Sequence, residues 1–247
     1  MKVMPWALSG AVCLAMATAV TPSHATSPQT TASQTSTSKY QIDIDSSAAP
    51  ELKEWADKVL RPAVELWYPI IIADLPSEGF VPPKHFDIKI DPEYKGIAAT
   101  AGTHVMVSPV WIKSQNARGP VNEAVGSVIH ELVHVDQQYG RAGRRNPMPG
   151  WLTEGIADYI RWWKYEPASV RRPVQPVKRN GQAASYTDAY QTTAAFLEFV
   201  ARGTDHEIVV KLNAAGRDGT YSPELWKQYT GKSIDDLWAE FVQTLKK

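Results

Sequence analysis

Cysteine is all but missing from this chain. The 247 residues contain one, Cys13, and it falls inside an apolar N-terminal stretch. Beyond that stretch there is no thiol, which excludes a disulfide framework, a cysteine nucleophile and any cysteine-ligated zinc site. Charge of either sign is in no surplus, since 26 Lys and Arg balance 26 Asp and Glu. With no basic surplus and no basic fold motif, nucleic acid is excluded as a partner. Long hydrophobic runs are missing too. The one candidate, Pro5 to Val20, falls short of the roughly 20 residues that a spanning helix needs.

What the N-terminus does have is the grammar of export. Lys2 supplies a positive start, Pro5 to Val20 an apolar run, and Ser23-His24-Ala25 a small-residue end. Residues 1–25 therefore read as a signal peptide, with an uncleaved anchor as the alternative. The expected location is secreted or periplasmic, with no stable membrane insertion after cleavage. A lipid-modified Cys13 does not fit, because the residues after it stay apolar. Residues 26–39 are rich in Ser, Thr and Gln, cannot bury a core, and read as a disordered linker, either a spacer or a small pro-segment. Residues 40–247 are left as one domain, and a chain that is 43% hydrophobic has the means to build its core.

Histidine is scarce, six in all, yet two of the six stand four apart in Val128-Ile129-His130-Glu131-Leu132-Val133-His134-Val135. On a helix His130 and His134 project from one face, one turn apart, which suits two ligands on one Zn²⁺. Glu131 then stands beside the pair, placed to take a proton from a metal-activated water. The same letters also describe an amphipathic core helix with two satisfied histidines and no metal. A second stretch favours the metal: Gly150-Trp151-Leu152-Thr153-Glu154-Gly155-Ile156-Ala157-Asp158-Tyr159 reads as a helix start followed by apolar residues at helical spacing. Glu154 comes twenty positions after His134, room for a turn and a second helix that brings it to the same ion. Three protein ligands leave one position for water, the arrangement of a catalytic site. Asp158, one turn beyond Glu154, is placed to accept from the free ring nitrogen of a ligand histidine. A solvated carboxylate pair is the alternative, disfavoured by apolar Trp151, Leu152, Ile156, Ala157 and Ile160 around it. Metzincins require a glycine three residues and a histidine six residues after the second motif histidine. The chain has Gln137 and Gly140 there, so that class is excluded.

Three blocks in order, H-E-L-V-H-V-D-Q-Q, P-G-W-L-T-E-G-I-A-D-Y and A-Y-Q-T-T-A-A-F-L-E-F, resemble the plant and bacterial basic secretory protein family of zinc peptidases, over about Ala98 to Val200. More broadly they are similar to the gluzincin, or thermolysin-like, peptidases. The chain departs from the family's name in being neutral overall. The resemblance implies a zincin-like fold whose cleft-bordering edge strand binds the substrate backbone, a role that falls on about Thr103 to Val107. It also implies a Tyr or His donor for the oxyanion; Tyr190 matches the family position, with Tyr186 second. A core tyrosine is the competing reading of Tyr190.

The remaining segments frame these blocks. Strands are expected at Tyr40 to Ile44, Phe86 to Ile90, Gly96 to Thr100 and Thr103 to Ser108, the last two joined by a Gly turn. Residues 49–72 carry apolar positions at helical spacing, with Pro62 dividing or restarting the helix. His85, His104 and His206 read as structural or exposed rather than as ligands. The active helix opens at Pro120 or Asn122 and runs to about Tyr139. The loop after it holds Arg141, Arg144 and Arg145, either solvated or turned to substrate carboxylates. Trp151, Trp162 and Trp163 offer a sugar platform or, more simply, core. Residues 166–181, rich in Pro and Arg, form an extended loop bordering the cleft. Ser185 to Arg202 reads as one helix, and three short helices follow, at 206–214, 223–229 and 234–245.

The fold expected is α+β: a small twisted, mostly antiparallel sheet packed on the active-site helix, then a mainly helical C-terminal half. The function expected is a secreted zinc metalloendopeptidase acting on peptide or protein, with one catalytic Zn²⁺ on His130, His134 and Glu154, and Glu131 and Tyr190 as catalytic groups. A zinc-containing binding or defence-type protein without proteolysis is the second reading. Oligomeric state, cleavage preference and endo- versus exo-cleavage are not encoded in any pattern found.

Overall fold

Four short strands, Gln41–Asp45 (β1), His85–Ile90 (β2), Ala98–Ala101 (β3) and His104–Val107 (β4), form a sheet in the order β1-β2-β4-β3. The computed structural model describes residues 39–119, 122–139 and 146–246, and the statements below concern those residues. The signal and linker expected at 1–39 lie outside them apart from Lys39, as do Pro120 and the three loop arginines.

The sheet corrects one expectation. β1 pairs with β2, and β2 with β4, in parallel; only β3 and β4 are antiparallel. Between β1 and β2 the chain passes through a 3₁₀ turn at Pro50–Leu52, a short α1 (Lys53–Trp55), a π turn at Ala56–Leu60 and α2 (Arg61–Asp74). A helical crossover of that length returns the chain in the same direction. Pro62 starts α2 rather than breaking the run. It has no N–H for the carbonyl four residues back, and the wide π turn lies where that bond is lost. β3 and β4 form the expected hairpin, with Gly102 at φ 65 in its turn.

A second correction follows from the strand order. The segment Thr103 to Val107 was expected at the sheet edge, but β4 is flanked on both sides, by β2 and β3. The edge is β3. Alternation supports the placement: Phe86, Ile88 and Ile90 of β2 and Val105 and Val107 of β4 are buried on one face, the pattern of a strand with one side on the core. The other face is polar, where His85 Nε2 meets Asp43 at 2.7 Å and His104 Nδ1 meets Asp87 at 2.5 Å.

Against the buried face lies α4, Ala124–Gln137, packed also on α2 and on α5 (Gly150–Tyr159). Every residue of α4 is buried except His134. Val128, Ile129, Leu132 and Val133 are wholly inaccessible, each such side chain contributing about 1.5–3 kcal/mol. That anchoring offsets the cost of holding His130 and Glu131 in the interior. The helix begins two residues later than Asn122, whose side chain accepts from Ala124 N–H at 2.8 Å. It ends at Gln138, in the left-handed region with φ 49.

The C-terminal half is helical, as expected. A π turn, Ile160–Tyr165, continues α5. α3 (Pro109–Asn116) precedes the active helix, and α6 (Tyr190–Gly203), α7 (Ile208–Asp218), α8 (Glu224–Thr230) and α9 (Ile234–Thr244) complete the order. Ser185 to Arg202 is not one helix. Tyr186–Asp188 forms a separate 3₁₀ turn, and the chain bends at Ala189 and Tyr190, with φ 61 and 48. Buried Arg217 seats α7 on the end of α4, meeting Asp136 Oδ2 at 2.5 Å and Leu75 O at 2.6 Å. Breaking such a pair by removing one partner costs roughly 3–5 kcal/mol. No helix among the described residues is long and apolar enough to cross a membrane.

Candidate metal centre and cleft

α4 places His130 and His134 one turn apart, their rings 4.8 Å between centroids and at 81°. Their Nε2 atoms approach to 3.1 Å. From α5, Glu154 Oε2 comes within 3.0 Å of His130 Nε2 and 3.4 Å of His134 Nε2. The outer nitrogens are spoken for. His130 Nδ1 meets Asp158 Oδ1 at 2.7 Å, and His134 Nδ1 meets Gln137 Oε1 at 2.7 Å. The Gln137 amide is oriented by its own nitrogen, which donates to Thr153 O at 3.0 Å.

These contacts dictate the tautomers. Each Nδ1 faces an oxygen acceptor and so carries the ring hydrogen, which in the neutral ring leaves each Nε2 with a lone pair. Two lone pairs and a carboxylate oxygen then converge, an arrangement that repels itself unless a cation lies among them. The spacing fits one. Ligand bonds of 2.0–2.1 Å in a tetrahedron set neighbouring ligand atoms about 3.3 Å apart, against 3.0 to 3.4 Å here. His130, His134 and Glu154 form the one group among the described residues whose ligand atoms can hold a metal ion.

Electrostatics point the same way. Burial pushes the His130 ring down, but hydrogen bonds to Asp158 and Glu154 outweigh it and hold the ring up at about 10. Burial raises Glu154, and the two histidines more than reverse it, leaving the carboxyl far below its usual range. A site that grips a proton this strongly is a site that attracts a cation.

Glu131 faces the same cavity, and Thr100 Oγ1 donates to its Oε2 at 2.7 Å. Thr100 belongs to β3, so the edge strand beside the cavity holds the carboxylate next to the histidines. Neither Thr100 nor Gln137 stands out in the sequence as a site residue. Gln137, one turn after His134 on the same helix face, had a local signal; Thr100 had none.

Tyr190 and Tyr186 part company. The Tyr190 ring lines the cavity, 56% exposed, 6.2 Å from the His130 ring and nearly parallel to it. Glu154, and then burial, raise its hydroxyl above the ordinary value. Ala189 at φ 61 and ψ −172 occupies a region that costs a non-glycine residue roughly 1–3 kcal/mol, and this bend aims Tyr190 at the cleft. Tyr186 instead donates to Asp235 at 3.0 Å and packs with Trp151, Phe196 and Trp238. Trp151 and Trp163 pack on the core as well, which leaves Trp162 as the tryptophan on the cavity wall. His85, His104 and His206 stand apart from the group.

The cavity measures about 1100 Å³. β3 contributes Ala98, Ala99 and Thr100 to one wall, and α5 and the start of α6 contribute to the other. An edge strand beside a cleft is a template for an extended peptide.

No curated protein and no solved structure matches the chain. A family model described as "Peptidase of plants and bacteria" does match, over residues 86–241, a span that takes in all of β2 but its first residue, the edge strand β3, both metal-site helices and α6. The chain belongs to that family, BSP, the peptidases of plants and bacteria.

Proposed function

We propose that the protein is a zinc-dependent metalloendopeptidase exported through its N-terminal signal. The observation that carries the chemistry is the convergence of two imidazole Nε2 atoms and a carboxylate beside a second carboxylate, Glu131, at the edge of a sheet. His130, His134 and Glu154 would hold Zn²⁺, the ion that this nitrogen and oxygen donor set suits. When bound, the ion supplies Lewis acidity, bringing water towards a pKa of about 7 and polarising a carbonyl.

The chain's own residues do the rest. β3 pairs with the backbone of an extended peptide and presents one carbonyl to the centre. Glu131, oriented by Thr100, takes a proton from the attacking water and passes it to the leaving amine. The Tyr190 hydroxyl donates to the oxygen of the tetrahedral intermediate. Asp158 and Gln137 keep each ring's Nε2 turned inward.

Elemental analysis of the purified protein is expected to find about one zinc per chain. A chelator should abolish hydrolysis of a casein-type substrate, and added zinc should restore it. Glu131→Gln should retain the metal and lose hydrolysis; an active variant would refute the role of Glu131.

A further inference from the structure

The cavity does not end at the histidines. Glu123, Ser127, Glu131 and His134 follow one another along α4 at intervals of four or three, which puts them on one face. Glu123 precedes His130 by seven residues, roughly 10 Å of helix. There the wall changes character. The buried Glu123 carboxylate accepts from Arg172 Nη2 at 2.8 Å, Arg161 Nη2 at 3.1 Å and Arg118 Nη1 at 3.3 Å. Among the described residues one other carboxylate pairs with these guanidinium groups, Glu166, 3.9 Å from Arg161 Nε. Three guanidinium groups against two carboxylates leave a surplus of positive charge in a chain whose net charge is zero.

Arg161 and Arg172 divide the work. Arg161 is mostly buried, lies over the Trp162 ring at 4.3 Å, and its Nε has no hydrogen-bond partner among the described residues. Arg172 lines the cavity with 67% of its side chain exposed. A guanidinium has five N–H donors in a planar fork. Glu123 takes one of those of Arg172, and the others have no acceptor among the described residues. The fork is thus held from behind and open in front, the geometry that receives a carboxylate through two parallel bonds. Ser127 keeps the floor small, and its hydroxyl is already engaged with Ala124 O at 2.8 Å and Trp111 Nε1 at 3.1 Å.

We propose that Arg172, backed by Arg161 and Glu123, is a subsite for a carboxylate on the peptide being cleaved. The distance sets where that carboxylate sits. Three residues of extended peptide span roughly 10 Å, so the group lies within about three residues of the reacting bond. Two sources share the chemistry, an Asp or Glu side chain and the peptide's own C-terminus. The inference rests on the peptidase reading for its substrate class, though not for the subsite's existence.

The test uses the full-length exported protein with its metal and three quenched-fluorescence peptide sets of one length. One set is neutral and amidated, one places a single Glu at successive positions, and one is neutral with a free C-terminus. A carboxylate-bearing set should be cleaved with kcat/KM on the order of tenfold above the neutral one, and which set gains identifies the source. Arg172→Ala should bring that ratio towards one, and Arg172→Glu should invert it, so that the carboxylate-bearing set is cleaved more slowly than the neutral one. Hydrolysis with no preference, or a preference that Arg172→Ala leaves intact, overturns the subsite. Should no peptide be hydrolysed, the same sets are titrated by tryptophan fluorescence. Tighter binding of a carboxylate-bearing set that is lost in Arg172→Ala then upholds the subsite and counts against the peptidase reading alone. Equal binding of all sets overturns the subsite.

Discussion

Gln137 holds His134 as Asp158 holds His130: each supplies an oxygen 2.7 Å from the ring's Nδ1. One partner is an amide on the same helix and the other a carboxylate from a neighbouring one, so they differ in strength and share a task. Removing such an orienting group typically costs 10–100-fold in metal affinity. Gln137→Leu should weaken zinc binding by about tenfold, and Asp158→Ala by more, because a charged acceptor is lost from a buried ring. Competition with a chromogenic chelator reads both. Equal affinity in Gln137→Leu and the parent would show that His134 needs no orienting partner.

Thr100 reaches across from β3 to the Glu131 carboxylate. Thr100→Val keeps the branched shape of the side chain and removes the donor. With the carboxylate free to turn, kcat should fall about tenfold while KM stays close to the parent's, because the strand proposed to pair with substrate is intact. Thr100→Ser, which keeps the hydroxyl, should recover most of the rate. A rise in KM alongside the fall in kcat, unrelieved by serine, would assign Thr100 to strand packing instead.

Gly155 follows Glu154, and α6 lies hard against it. A Cβ built there would stand 2.2 Å from Thr193 Cγ2. Thr193 is fully buried and donates to Tyr186 O at 2.6 Å, so it has little freedom to retreat. Gly155→Ala should therefore cost about 1–3 kcal/mol of stability, read by denaturant unfolding. Adding Thr193→Ser, which deletes the colliding methyl, should return part of that loss. Strictly additive effects of the two substitutions would mean that the helices separate for another reason.

What could be read in advance divides along physical lines. His130, Glu131 and His134 are fixed by helical spacing, a local property. Glu154 and Asp158 were legible because a short loop and one more helix allow few placements. Strand direction was also written in the chain, in the helical run between β1 and β2, whose length suits a parallel pair; alternation alone conceals it, since it looks alike in both directions. The edge was a different matter. A hairpin makes β3 and β4 neighbours without saying which of them faces outward, and β2 decided it by pairing with β4. Thr100 and Arg172 depend on chain brought together over 31 and 49 positions, and no short-range pattern announces contacts of that kind. The break at Ala189 escaped notice because alanine at positive φ runs against its own preference.

Glu166 offers a test of the cleft's far end by pH. Its side chain is buried, and its Oε1 has no hydrogen-bond partner among the described residues. Burial raises its carboxyl above the ordinary 4.5, and Arg161 pulls it back only in part. A raised folded value means that the fold binds this proton more tightly than the unfolded chain does. The stabilisation that follows is complete below 4.5 and is lost as pH rises through the folded value. Glu166→Gln cannot ionise and escapes that loss. Its stability relative to the parent, measured by denaturant unfolding between pH 4 and pH 8, should therefore improve as pH rises above 4.5 and level off once the parent's Glu166 is ionised. A gap that is constant across this range, or that closes in the parent's favour, would mean that Arg161 holds Glu166 as a charged partner and that the two should be counted as an ion pair.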